Sequence, residues 1–284
     1  MSKRLRVAVL GSTGGWHAQR LERALTSRGH TCEFAPVTRM VGRIDGALSI
    51  DGLDHCDVVL VRGIPRGSLE QVIFRVDALH VLAARGVRAV NGAAAIERTV
   101  DKFLASALLA AAGIPTPRTV ACERAADALA AFGALGGDVI VKPLFGSMGL
   151  GMARVEDPDV AQRVFRALEL ERAVYYLQET RAGRDLRAFV VGDRVVAAIE
   201  RVGDGWRANL ARGARAQPIG LEPHLEQLCV RACAVLGADY AGVDLLGDQV
   251  IEVNGIPGWS GVERACGLDV ASELVQHVER VVAF

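Results

Sequence analysis

The chain has 284 residues, 51% of them apolar, and 33 Lys and Arg balance 33 Asp and Glu. That length buries a large core shared by two or three units, and a formal net charge of zero excludes a global field for nucleic acid or an anionic membrane. No apolar run reaches membrane-spanning length, and the strand-like Arg6-Val7-Ala8-Val9-Leu10 leaves no room for a signal peptide, so a cytoplasmic protein is expected.

Strand-like and helix-like segments alternate through the first ninety or so residues: 7–10, a helix over 17–27, 57–61, a helix over 69–84, then 87–90. The order predicts a small βαβ sheet. Gly11-Ser12-Thr13-Gly14-Gly15 lacks the G-x-G-x-x-G spacing of a dinucleotide loop, so a tight glycine turn is the better reading. Cys32, Cys56, Cys122, Cys229, Cys233 and Cys266 form no C-x-x-C pair or zinc-like framework and read as reduced, mostly buried thiols.

A helix over 99–112 follows, with Thr99 as its N-cap, an apolar stripe of Val100, Phe103, Leu104, Ala107, Leu108 and Ala111, and Gly113 with Pro115-Thr116-Pro117 as its stop. Strand 139–143 runs into Phe145-Gly146-Ser147-Met148-Gly149-Leu150-Gly151, where three glycines let backbone N–H groups approach an anion beside Lys142. A flexible hairpin with a surface lysine competes with that reading. Segments 186–191 and 194–200 form a hairpin about Gly192-Asp193, bordered by Arg181, Arg184, Asp185, Arg187 and Arg201, and residues 206–215 add further arginines. Guanidinium groups at this density suit phosphate and carboxylate, although Arg181 and Arg215 read equally well as solvated.

The most informative segment is Gly242-Val243-Asp244-Leu245-Leu246, followed after a turn by Val250-Ile251-Glu252-Val253-Asn254-Gly255. Two apolar strands carry side-chain oxygen, which is costly to bury without compensation. Glu252 and Asn254 share a strand face, and a three-residue turn, Gly247-Asp248-Gln249, would bring Asp244 opposite Glu252, whereas a two-residue turn would separate them. The three-residue turn is expected. Oxygen-only ligands Asp244, Glu252 and Asn254 suit Mg²⁺ or Mn²⁺. An exposed hairpin with ordinary surface acids is the competing reading.

Taken in order, these features resemble the ATP-grasp ligases, most closely the RimK-type α-L-glutamate ligases. The resemblance rests on residues 183–198, Asn209-Leu210-Ala211-Arg212-Gly213, residues 242–246 and residues 252–258, and it spans essentially the whole chain. It implies an ATP-grasp fold of mixed α/β and α+β class, with an N-terminal α/β domain over 1–92, a central subdomain over 93–178 and a C-terminal subdomain with the metal site over 179–284. By the same resemblance, Lys102 and Lys142 address nucleotide phosphates, Glu179-Thr180 meets adenine, Asp185 lies on the ribose side, and Arg207 with Asn209 lines the phosphate and metal edge. The Thr180-Arg181-Ala182 spacer is shorter than the family shows. One or two Mg²⁺ or Mn²⁺ ions would sit on Asp244, Glu252 and Asn254.

The implied reaction is ATP-dependent joining of a carboxylate to an amine through an acylphosphate, with Arg212 stabilising the tetrahedral oxyanion and Arg187 holding a phosphate or carboxylate. L-Glutamate is the implied amine. The implied acceptor is a pterin-type cofactor, a protein C-terminus or a carrier protein, and a homo-oligomer without membrane or nucleic-acid partners is expected. Arg62 stands where such an acceptor would face the N-terminal domain, or is an exposed loop arginine. Asn91-Gly92 reads as structural, and Trp206 and residues 259–263 as loops near the site mouth. A dinucleotide-dependent oxidoreductase using residues 11–15, or a non-catalytic nucleotide-binding module, are the alternatives.

Overall fold

A computed structural model describes residues 3–11, 14–146, 149–203 and 215–282. The first unit comprises β1 (Arg6–Leu10), α1 (Trp16–Ser27), β2 (Thr31–Ala35), the hairpin β3 (Gly42–Ile44) and β4 (Leu48–Ile50), β5 (Val58–Val61), α2 (Leu69–Ala84) and β6 (Arg88–Val90). Four strands form a parallel sheet in the order β2-β1-β5-β6. Edge strand β2 was not legible as a strand, because Thr31-Cys32-Glu33-Phe34-Ala35 buries no residue completely and shows only weak alternation. Helix α2 starts where a capping box sets it, Ser68 Oγ accepting from Gln71 N while Gln71 Oε1 accepts from Ser68 N.

Next come α3 (Ala93–Val100), α4 (Lys102–Ala111), β7 (Thr119–Cys122), α5 (Ala125–Ala134), β8 (Val139–Lys142), β9 (Ala153–Val155), α6 (Pro158–Leu170) and β10 (Tyr175–Glu179), whose strands pair antiparallel as β7-β10-β8-β9. The single helix expected over 99–112 is two helices. Asp101 caps the second, its carboxylate accepting from Phe103 N and Leu104 N, while Thr99 sits inside α3 and bonds back to Ala95 O. A carboxylate offers two acceptor oxygens to a helix start, and here it displaces the threonine from that role. The buried face of α4 is Ala105 and Leu109, with Phe103 and Leu104 exposed, so the stripe read from the sequence is rotated from the true one.

The last segment holds β11 (Asp185–Val191), β12 (Arg194–Val202), β13 (Arg215–Pro218), α7 (Pro223–Leu236), β14 (Tyr240–Leu246), β15 (Gln249–Asn254), α8 (Ser260–Cys266) and α9 (Val270–Val282). Its sheet runs β13-β12-β11-β14-β15. One face, with Leu186, Ala188, Val190, Val243 and Leu245, packs on Cys229 and Cys233 of α7 and on Ala105 and Leu109 of α4. The other begins apolar, with Phe189, Val191, Ile199 and Tyr240 joined to Trp259, α9 and the N-terminal residues Val7, Val9 and Leu21. Two residues further along the same strand faces the cover ends, and charged side chains follow.

The first and third sheets are joined by polar groups as well as by that core. Asn91 is fully buried, and its amide donates to Tyr240 O (2.8 Å) and Gly255 O (2.6 Å) while Oδ1 accepts from Asp239 N (2.6 Å) and Tyr240 N (3.1 Å). Arg62 is part-buried rather than an exposed loop arginine: it lies 4.2 Å over the Trp259 ring and donates to Tyr240 Oη (2.9 Å) and Pro257 O (2.8 Å). Trp259 is buried completely rather than standing at a site mouth. His17 Nε2 accepts from Trp259 N (3.1 Å), and burial, aided by Arg62, lowers its pKa to about 4, which keeps it neutral as that acceptor role requires. Trp206 lies outside the described residues.

Replacing Asn91 by Ala strands four buried backbone groups, so Asn91→Ala should lower stability by about 3 kcal/mol or more in urea unfolding. A loss below about 1 kcal/mol would show that water or relaxation replaces the amide.

Candidate active site

The β14–β15 hairpin turns through two residues, Gly247-Asp248, with Leu246 paired to Gln249 and Leu245 to Val250. This corrects the three-residue turn expected from the sequence. A β-bulge then inserts Ile251, and the register resumes with Asp244 opposite Glu252, Val243 opposite Val253 and Gly242 opposite Asn254. One extra residue reverses the facing of everything beyond it, so the two carboxylates meet although a two-residue turn alone would separate them. Val250 N donates to Pro115 O (2.9 Å) beside the bulge.

Strand alternation brings Asp185 and Arg187 of β11 to the Asp244 side of the sheet, and Arg201 of β12 joins them by contact. Asp244 is buried, and Arg187 Nη1 stands 3.4 Å from each of its oxygens while Arg201 Nη1 stands 3.4 Å from Oδ1. Arg187 Nη1 donates a long hydrogen bond to Oδ2 and the two contacts to Oδ1 are ion pairs; Asp244 Oδ1 and Arg187 Nε are buried without a hydrogen-bond partner. Arg201 bonds Asp185 Oδ1 through Nε (2.8 Å) and Nη2 (2.5 Å). Burial still raises the Asp185 pKa to about 6 against the pull of Arg201, with the Asp244 charge adding to the rise. Gly242 makes space for this arrangement, since a Cβ there would stand 2.6 Å from Arg187 Nη2.

Two lysines reach the same region from other elements. Lys102, the first residue of α4, donates to Gly146 O (2.7 Å) and stands 3.5 Å from Glu252 Oε1, tying the glycine loop to β15. Lys142, at the end of β8, is buried and donates to Gln178 Oε1 (2.5 Å). Burial brings its pKa down to about 8, Lys102 adding to the drop and Glu252 and Asp244 opposing it.

Asp244, Glu252 and Asn254 fit a hard divalent cation: all three offer oxygen, they share one face, and Asp244 Oδ1 is a buried acceptor with ion-pair neighbours but no hydrogen bond. Asn254 Oδ1 also accepts from Ile256 N (3.0 Å), which fixes its orientation.

Other expected residues are placed differently. Glu179 is buried, its carboxylate accepting from Arg118 N, Arg118 Nε and Arg181 Nε, and the N–H groups of Glu179 and Thr180 donate to Arg118 O and Asp138 O. Neither that carboxylate nor those N–H groups is free for a base. Arg184 pairs outward with Glu200. Arg207, Asn209 and Arg212 lie outside the described residues. Arg201 and Gln178 were not singled out as site residues; alternation from Ile199 along β12 was the available signal for Arg201. A cavity of about 610 Å³ lined by Trp16, Arg20, Ser260, Glu263 and Arg264 takes in part of the 259–263 loop but none of the expected catalytic, nucleotide or metal residues, whereas Lys102, Ser106, Val250 and Glu252 line a cleft of about 10 Å³.

The family model described as the RimK-like ATP-grasp domain matches residues 99–278. The chain belongs to the RimK-like ATP-grasp family. It is 32% identical over 81% of its length to a tetrahydromethanopterin:α-L-glutamate ligase of Methanosarcina acetivorans, covering 82% of that protein. It is 34% identical over 97% of its length to a ribosomal protein bS6–L-glutamate ligase of Escherichia coli, covering 96% of it. The fold is likewise that of the ATP-grasp ligase PsnB solved with a minimal precursor, Mg and ADP, at TM-score 0.77 and 22% identity, covering 98% of both chains. The RimK-like chain is accordingly an ATP-dependent ligase of the ATP-grasp fold, and the oxidoreductase and non-catalytic alternatives fall away. Among the described residues, no helix is long and apolar enough to cross a membrane.

Lys142 makes a pH test of this interior. The unfolded chain holds the lysine proton up to about pH 10.5 and the folded chain only to about 8, so the unfolded state binds more protons between those values and stability rises with pH across them. Lys142→Met should remove a rise of the order of 3 kcal/mol between pH 8 and 10.5, read as the difference between the two proteins in urea unfolding. Parallel profiles would contradict a desolvated ammonium at this position.

Proposed function

We propose that this chain joins L-glutamate to a carboxylate acceptor, a pterin-type cofactor, a protein C-terminus or a carrier protein, with release of ADP and phosphate. The observation that carries the reading is the convergence of Asp244, Glu252 and Asn254 on one sheet face, with Arg187 and Arg201 against Asp244 and Lys102 beside Glu252. The glutamate ligases named above support the amine, and they act on two different acceptors, a pterin and a ribosomal protein.

Asp244, Glu252 and Asn254 would hold Mg²⁺, or Mn²⁺ in its place, as one or two ions. When bound, the cation neutralises charge spreading over the transferred phosphoryl group. Lys142 and Lys102 direct ammonium groups at the nucleotide phosphates, and Lys102 also carries the glycine loop toward them through Gly146. By the family resemblance, Arg207 and Asn209 are assigned to the phosphate and metal edge. Asp185 stands on the ribose side, braced by Arg201. Adenine is received beside Glu179-Thr180, whose pairing with Arg118 holds the chain in place as it enters β11.

Arg187 holds the acceptor carboxylate or the γ-phosphate, exchanging its long contact with Asp244 for the substrate oxyanion. A carboxylate oxygen of the acceptor attacks the γ-phosphorus and ADP leaves, giving an acylphosphate. The glutamate α-amine then attacks the acyl carbon, Arg212 stabilises the tetrahedral oxyanion, and phosphate departs as the amide forms. We further assign residues 1–92, 93–178 and 179–284 as the three units, place the enzyme in the cytoplasm, and expect it to act as a homo-oligomer independent of membranes and nucleic acids.

Sustained, multiple-turnover ADP release should require acceptor and amine together, and mass spectrometry should find the acceptor heavier by a glutamyl residue. ADP formation indifferent to both substrates would contradict the ligase chemistry. Arg212→Ala should lower kcat about a hundredfold or more with ATP affinity nearly unchanged, and a normal kcat would remove Arg212 from the mechanism.

A further inference from the structure

The N-terminal sheet carries a group of metal-ligating side chains that the ligase reaction does not use. Glu33 lies on edge strand β2, and His55 and Cys56 lie just before β5. Glu33 is the middle residue of β2, and His55 and Cys56 reach it from the segment that enters β5. None of the cluster's three residues is among the described residues through which the N-terminal unit bonds to the third segment, which include Arg28, His30, Arg62, Arg88 and Asn91.

Its geometry is compact. Cys56 Sγ stands 2.9 Å from Glu33 Oε1 and 3.8 Å from His55 Nε2, and His55 Nε2 stands 3.1 Å from Glu33 Oε1. A tetrahedral zinc ion, at about 2.3 Å from sulfur and about 2.0 to 2.2 Å from nitrogen or oxygen, sets its ligands roughly 3.3 to 3.6 Å apart. The three separations bracket that spacing. Cys56 is buried while the side chains of His55 and Glu33 are 50% and 46% exposed, so the cluster has a closed floor and an open mouth through which an ion and a water could enter.

Donor chemistry selects the ion. Sulfur and imidazole favour a borderline divalent metal over Mg²⁺, whereas the oxygen-only set at Asp244, Glu252 and Asn254 has the reverse preference. We propose that Glu33, His55 and Cys56 bind a zinc-class divalent cation, with the fourth coordination position left to water. On binding, the Cys56 S–H bond breaks, a sulfur–metal bond forms and the proton passes to solvent, with no change in oxidation state. The ion ties edge strand β2 to the segment entering β5. This proposal does not depend on which acceptor or amine the enzyme uses.

The test is Co²⁺ titration of the full-length, metal-stripped protein under reducing conditions with excess Mg²⁺ present. One equivalent should produce a thiolate-to-cobalt charge-transfer band, one equivalent of Zn²⁺ should abolish it, and Cys56→Ala should lack it. Because Cys56 is buried, the half-exposed positions supply a second arm: His55→Asn and Glu33→Gln, which leave the core intact, should each weaken Co²⁺ binding at least about tenfold. No charge-transfer band, a band that survives in Cys56→Ala, or unchanged affinity in both polar variants would overturn the proposal.

Discussion

A carboxylate buried beside two guanidinium groups that stop at ion-pair distance organises this enzyme. Asp244 has lost its water, and Arg187 and Arg201 at 3.4 Å return only part of what hydration supplied. Lys102, Lys142, Arg187 and Arg201 set four positive charges against the three carboxylates of Asp185, Asp244 and Glu252, a surplus of one positive charge. The interior is thus assembled ahead of the reaction but left incomplete. A divalent cation and a polyphosphate together would supply the missing partners, which makes binding and the final ordering of these side chains one event.

The sheet that carries Asp244 is held in place from the N-terminal unit. Asn91 satisfies both its amide hydrogens and its carbonyl with the chain at the start of β14 and just past the end of β15. Arg62 and His17 fix Pro257 and Trp259, only a few residues beyond Asn254. Tyr240 Oη closes the circuit by donating to Val61 O at 3.0 Å. Strands β14 and β15 are thereby clamped at the ends away from their turn, and the placement of Asp244 against Glu252 depends on Asn91, Arg62 and His17.

Much of this was legible in the chain. Oxygen-bearing residues inside apolar strands pointed to Asp244, Glu252 and Asn254 before any fold was known, and alternating apolar segments gave the parallel N-terminal sheet. What was not legible depended on competition between distant groups. The bulge at Ile251 is a backbone choice with no side-chain signature, so the right facing was reached through the wrong turn. Asp101 and Thr99 are both good caps, and the break between α3 and α4 leaves Thr99 inside α3, bonded to Ala95 O, with Asp101 at the start of α4. Arg62 and Trp259 are nearly two hundred residues apart in sequence, and nothing local in either announces a buried cation–π pair. Glu179 looked available because its partner Arg118 lies on another segment.

The most direct measurement is anomalous diffraction from crystals grown with Mn²⁺ and a non-hydrolysable ATP analogue. The account predicts a manganese peak roughly 2.1 Å from oxygens of Asp244, Glu252 and Asn254, with the phosphate tail reaching Lys142 and Lys102. A nucleotide bound in the cleft with manganese held elsewhere, and Asp244 still paired only with Arg187 and Arg201, would contradict it.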